Sequence, residues 1–148
     1  MNVRELAGSR WRRFVGAVRG VRSAARLQKE GRRRYLAGHF AEAIAPLQEA
    51  LALVGFPRVD EPALLGVRFT MRMNALMLLS YSFAKLDDRR QALAAINTGI
   101  ALLTAFKVPE SGQWKRWNRA RQPIREWQQW ARAYLAFCDR STGTDSAH

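Results

Sequence analysis

The chain has 148 residues, 48% of them hydrophobic, with five prolines and ten glycines, which is enough to bury one core and too little for a second folded domain. A single cysteine, Cys138, and two histidines, His39 and His148, exclude an internal disulfide and the usual four-ligand thiolate cage, so no metal and no cofactor is expected. No run alternates apolar and polar residues over strand length, and the longest apolar stretch, near Ala75 to Leu79, falls far short of the roughly 20 residues that cross a bilayer. The fold class expected is all-α, and a reducing, cytoplasmic location fits it best.

The formal charge of +13 is unevenly spread. Residues 1–40 hold eleven Arg or Lys against Glu5 and Glu30, residues 41–110 hold seven of each sign, and residues 111–148 hold seven basic and three acidic side chains. A neutral middle between two basic segments suits an anionic partner, whether nucleic acid, an acidic protein surface or anionic lipid. It also suits arginines that merely solvate helix faces.

In chain order, residues 3–27 place Trp11, Phe14, Val15, Val18, Val21 and Ala25 at three- and four-residue spacing, so they share one helical face that needs covering. Arg12, Arg13, Arg19 and Arg26 fall opposite, and with Arg33 and Arg34 they form the candidate basic patch; Arg22 intrudes on the apolar arc. Arginines interrupt the apolar residues too often for a secretory signal. An organelle transit peptide has a similar arginine-rich start, against which Glu5 and the scarcity of serine count.

Residues 24–55 carry Gly31, Tyr35, Gly38, Phe40, Ala43, Ile44, Leu47, Ala50 and Leu51. Small residues at these spacings let two helices approach closely while the larger ones fill the space between them. The stretch resembles one tetratricopeptide repeat: Gly31 stands at the small position of its first helix, Gly38 at the turn, Phe40 at the aromatic that opens the second helix, and Ala43 and Ala50 at its two alanines. Pro46 predicts a bend in that second helix. Residues 73–106 resemble a second repeat through Leu76, Leu79, Ser80, Phe83, Ala92, Leu93, Ile96, Gly99 and Ile100, with Asp87 in place of the turn glycine, Arg89 in place of the aromatic and Gly99 in place of an alanine. Ala43 and Ala92 stand 49 residues apart, whereas a regular array repeats at about 34. Gly55, Pro57 and Pro62 mark a loop within the extra length, and Leu64, Leu65, Val67, Phe69 and Met71 predict an unusually long first helix for the second repeat.

Residues 111–139 read as a tryptophan-rich helix that caps the stack. Ile124, Trp127, Ala131, Tyr134 and Cys138 step along one face, Ser111 is the expected cap, and Pro123 is expected to start or kink the helix. Residues 140–148 read as a disordered tail beyond a single domain of residues 1–139. Trp114 to Arg121 mixes tryptophans with cations, a composition that suits core packing, base stacking or a membrane interface.

Enzyme signals are missing: no phosphate-binding glycine loop, nucleophile elbow or His–Glu metal pair occurs. Asp60 with Glu61, and Asp87 with Asp88, are expected to cap helix starts rather than to act as acid and base. The repeat resemblance implies a ligand groove lined by the first helix of each pair, with Gln28, Arg32, Tyr35 and Leu36 from one and Asn74, Met77, Tyr81 and Lys85 from the other. Such a groove would be mildly positive. The family's lysine–asparagine clamp for chaperone tails is not reproduced, since Gln28 and Arg32 stand at those positions. The expected function is therefore a non-catalytic protein–protein interaction adaptor or scaffold that binds an acidic peptide or helix of a partner. The alternative is a small basic nucleic-acid-binding component of a ribonucleoprotein or nucleoprotein assembly. A membrane surface ranks below both as a partner, and no small-molecule substrate is inferred.

Overall fold

The computed structural model of the protein describes residues 3–106 and 118–146. They form five helices: α1 (Val3–Leu36), α2 (Phe40–Val54), α3 (Pro62–Lys85), α4 (Arg89–Ala105) and α5 (Asn118–Ser146). The chain is all-helical, with no strand among the described residues. No helix among them is long and apolar enough to cross a membrane.

Helices α1 and α2 make one antiparallel hairpin, α3 and α4 a second, and the two turns are built alike. In the first, Ala37, Gly38 and His39 donate their N–H groups to Arg33, Tyr35 and Arg34; in the second, Leu86, Asp87 and Asp88 donate to Ser82, Ala84 and Phe83. Both turns use the long bond back across the last helical turn that satisfies carbonyls left over at a helix end. The central residue is left-handed in each, Gly38 at φ +83° and Asp87 at φ +57°. These two residues stand 49 positions apart, as do the starts of α2 and α4 and the fully buried Ala43 and Ala92.

Close approach explains two glycines. A Cβ on Gly31 would lie 2.6 Å from Leu47 Cγ, and one on Gly99 would lie 2.7 Å from Trp127 Cη2. The second contact shows why α4 carries glycine here rather than alanine: the indole from α5 occupies the space. Trp127 is fully buried among Phe69, Met73, Ile96 and Ile124. Its Nε1–H donates to Ser80 Oγ at 2.8 Å, and that hydroxyl donates to Met77 O at 2.7 Å. Ile124, Ala131 and Cys138 are buried and Tyr134 is half-buried on the same face of α5.

Several boundaries differ from expectation. Residues 3–27 are not a helix separate from the first hairpin, because nothing between them and Leu36 interrupts the backbone; α1 runs unbroken for 34 residues, and Gly20 is used instead to bring the helix against the Leu53 carbonyl. Helix α3, in contrast, is as long as Leu64 to Met71 led one to expect: it begins at Pro62, ahead of the repeat-like stretch from residue 73, with proline in its first turn where the missing N–H costs nothing. Pro123, expected to start or to kink the helix, lies inside α5, and α5 continues through the stretch read as a tail as far as Ser146. Pro46 is buried within α2. Ser111, Trp114 and Trp117, with the start expected for the capping helix, lie outside the described residues.

Candidate functional site

Helices α1, α3 and α5 enclose a groove of about 540 Å³ on one side of the molecule. From α1 come Gln28, Arg32, Tyr35 and Leu36; from α3 come Thr70, Asn74, Met77, Leu78 and Tyr81. Three- and four-residue steps keep each set on one helical face, and packing of the hairpins brings the two faces together. Helix α5 adds Pro123 and Glu126. Seven of the eight groove residues expected from sequence (Gln28, Arg32, Tyr35, Leu36, Asn74, Met77 and Tyr81) therefore share one concave surface.

Lys85 does not join them. It lies in the last turn of α3, with Nζ 6.0 Å from the centre of the Phe40 ring. The expected positive balance is corrected as well, because Arg32 is matched by Glu126, whose Oε1 accepts from Gln122 Nε2 at 3.2 Å. The two hairpins alone could not supply that carboxylate. Its sequence signal was the spacing of Pro123, Glu126 and Trp130, which puts them on the flank of the buried α5 face.

An aromatic chain runs beside the groove. The Tyr35 and Tyr81 rings are 6.1 Å apart, Trp130 meets Tyr81 edge-on at 4.6 Å, and Tyr134 stacks on Trp130 at 5.2 Å. Burial, then the neighbouring Tyr35 and Glu126, push the Tyr81 hydroxyl up to about 12. Burial also raises Tyr35. Both phenols stay neutral and keep their donor protons at physiological pH.

The candidate basic patch is divided by the fold. Arg12, Arg19, Arg26 and Arg33 recur every seven residues along α1, a spacing that drifts only about 20° per step. Arg33 and Arg34 are compensated: Glu30 accepts from Arg33 Nε at 3.1 Å and from Arg34 Nε at 2.9 Å, and Arg34 Nη1 donates to Glu42 O. The Arg33 hydrogen bond, then that of Arg34, hold the Glu30 carboxyl below its ordinary value. Arg13 points elsewhere and lines a second cavity of about 690 Å³ with Arg10, Phe14 and Ala17 of α1, Arg58, Asp60 and Glu61 of the α2–α3 connection, and Leu64 and Arg68 of α3.

In that connection the expected capping role of Asp60 and Glu61 fails. Asp60 accepts from Arg58 at 2.9 and 3.1 Å, Glu61 accepts from Arg68 at 3.3 Å, and α3 has no side-chain cap. Asp88 does cap α4 through the Gln91 N–H at 3.2 Å, whereas Asp87 occupies the left-handed turn. Arg68 and Arg72 fasten the connection from below. Arg68 Nη1 donates to Phe56 O, and Arg72 Nη1 donates to Leu51 O and Gly55 O.

No protein-family model matches the chain, and comparisons with curated proteins and with solved structures return no match. Among the described residues no group of three or more His, Cys, Asp or Glu side chains is placed to hold a metal ion. The groove presents amides, phenols and two opposite charges. The Gln28 and Asn74 amides can pair with a peptide backbone, the tyrosines supply hydroxyls and flat apolar surface, and Arg32 and Glu126 set a direction for charge.

Proposed function

We propose that the chain is a non-catalytic interaction adaptor built from two tetratricopeptide-like hairpins, and that its groove holds an extended segment or helix of a protein partner. One observation carries this reading: residues from α1 and α3, 42 or more positions apart in the sequence, line the same groove at Gln28, Arg32, Asn74 and Tyr81. The matching turns at Gly38 and Asp87 support the repeat-like part of it. Because Arg32 and Glu126 balance, the preferred partner carries an acidic residue toward α1 and a basic or neutral one toward α5.

The test is affinity capture of the full chain from nuclease-treated lysate, with wild type compared against Gln28→Ala/Asn74→Ala and Arg32→Glu. Removing two amide contacts should weaken capture of a specific partner by roughly tenfold or more, at about 1 kcal/mol per hydrogen bond, with unchanged circular dichroism. A partner retained equally by all variants defeats the groove assignment.

A second reading, binding to nucleic acid, is favoured by the line of Arg12, Arg19 and Arg26, all exposed on α1. It requires everything captured to disappear with nuclease and affinity to fall steeply with salt.

A further inference from the structure

The apolar face of residues 3–27 needs covering, and the fold covers only part of it. Val21 packs with the buried Ala24, Ala50 and Val54. Farther toward the amino end, Trp11 is 65% exposed and Phe14 41%, their rings 5.9 Å apart. Phe14 forms a wall of the cavity between α1 and the α2–α3 connection, and Val59, 77% exposed, stands in the chain between Arg58 and Asp60, which line the opposite wall.

The cavity is cationic. Its lining holds four arginines, Arg10, Arg13, Arg58 and Arg68, against Asp60 and Glu61. Both carboxylates are taken up, Asp60 by Arg58 and Glu61 by Arg68 with Arg58 at 3.7 Å. Arg10 and Arg13 are left with no carboxylate partner among the described residues; Arg13 has only Ser9 Oγ at 3.5 Å. Arg68 is 8% exposed, and its Nε has no hydrogen-bond partner. The uncapped amino end of α3, with no acidic residue in its first turn, adds its positive dipole at the same place.

We propose that this cavity binds the phosphate headgroup of an anionic phospholipid, with Trp11, Phe14 and Val59 entering the bilayer interface around it. Guanidiniums approaching from α1 and from the connection suit a tetrahedral anion with several acceptor oxygens better than a planar carboxylate, which one fork satisfies. Exposed apolar side chains rimming a cation cluster call for a ligand that is anionic at one end and apolar beside it. Tryptophan and phenylalanine flanked by arginines match the headgroup boundary, where the rings sit at the interface and the guanidiniums reach phosphate. A nucleic acid would use the charges and could stack a base on Trp11, but it would leave Val59 in water. The inference is independent of the groove between α1, α3 and α5.

The experiment is co-flotation of the full chain with vesicles of phosphatidylcholine alone or containing phosphatidylglycerol. Binding is expected only with the anionic lipid. Arg10→Gln/Arg13→Gln should weaken it about thirtyfold, from the usual contribution of each basic residue at such a surface, and Trp11→Ser/Phe14→Ser should weaken it about tenfold or more. The control is Arg26→Gln/Lys29→Gln, which removes the same charge from exposed positions on the same helix about 20 Å farther along it, beyond the screening length. A control loss equal to that of the cavity variant overturns the site in favour of net charge. Tight binding of inorganic pyrophosphate without vesicle binding assigns the cavity to a soluble phosphate and overturns the lipid source. Vesicles left unbound while single-stranded RNA binds overturn it in favour of nucleic acid.

Discussion

Trp127 shows how one side chain can join three elements. Its ring fills the gap that Gly99 leaves on α4, and its N–H reaches Ser80 on α3. Replacing Ser80 with alanine strands a buried indole donor and should cost about 1–3 kcal/mol in urea unfolding, whereas Trp127→Phe at the same site exchanges that donor for a smaller ring and a cavity. Gly99→Ala should cost at least as much, because its new Cβ meets an indole with no free direction to move. A second expectation concerns alkali. Folded Tyr81 and Tyr134 both titrate near 12, each chiefly through burial, against about 10 in the unfolded chain. A raised folded value means that the native state holds its protons longer, so stability is intact below pH about 10 and declines as pH rises toward 12. Tyr81→Phe/Tyr134→Phe should flatten that decline in denaturant titrations across this window. Ser80 and Gly99 are both visible in the sequence as small residues within an apolar pattern. Their common partner is not, since periodicity within one helix carries no information about which distant indole fills the gap.

Between elements, the two hairpin turns form a natural pair of opposites. Gly38 and Asp87 occupy equivalent left-handed positions with equivalent hydrogen bonds, yet only one of them is the residue type that adopts that conformation without steric penalty. Gly38→Ala should therefore destabilise by about 1 kcal/mol, and Asp87→Gly should stabilise by a similar or smaller amount after the loss of its contact with Arg89 at 3.7 Å. Thermal unfolding of the two variants measures both signs. The hairpins themselves were legible because Ala43, Leu47, Ala92 and Ile96 combine helical spacing with complementary size. Helix ends were less so. The unbroken α1 joins two segments that look distinct by composition, and no cap or proline marks a boundary that does not exist. Beyond Arg140, α5 continues through Ser, Thr and Gly, residues whose propensity favours other conformations; nothing in their spacing announces a helix.

At the scale of the whole molecule, the groove was legible where it depends on helix register and not where it depends on stacking. Gln28, Arg32, Asn74 and Tyr81 follow from the faces of α1 and α3, while Glu126 arrives only because α5 packs beside α3. The cavity at the other end was not legible at all. It joins Arg10 and Arg13 to Arg58 and Arg68 across an irregular connection whose path no periodicity fixes. The same geometry separates the two regions thermodynamically. From residue 8 to residue 16 no side chain is buried and Phe14 is half-exposed, so a chain lacking residues 1–16 should unfold cooperatively with a loss of only about 1–2 kcal/mol, measured by urea titration, and should retain the groove.

Because α1 is one helix, it also works as a ruler. Arg10 and Arg32 stand on the same rod 22 residues apart, about 33 Å at helical rise, with no joint between them. Whatever engages the amino end is held at a set distance and angle from whatever occupies the groove, so two ligands bound together would be spaced by the backbone of a single helix rather than by a linker.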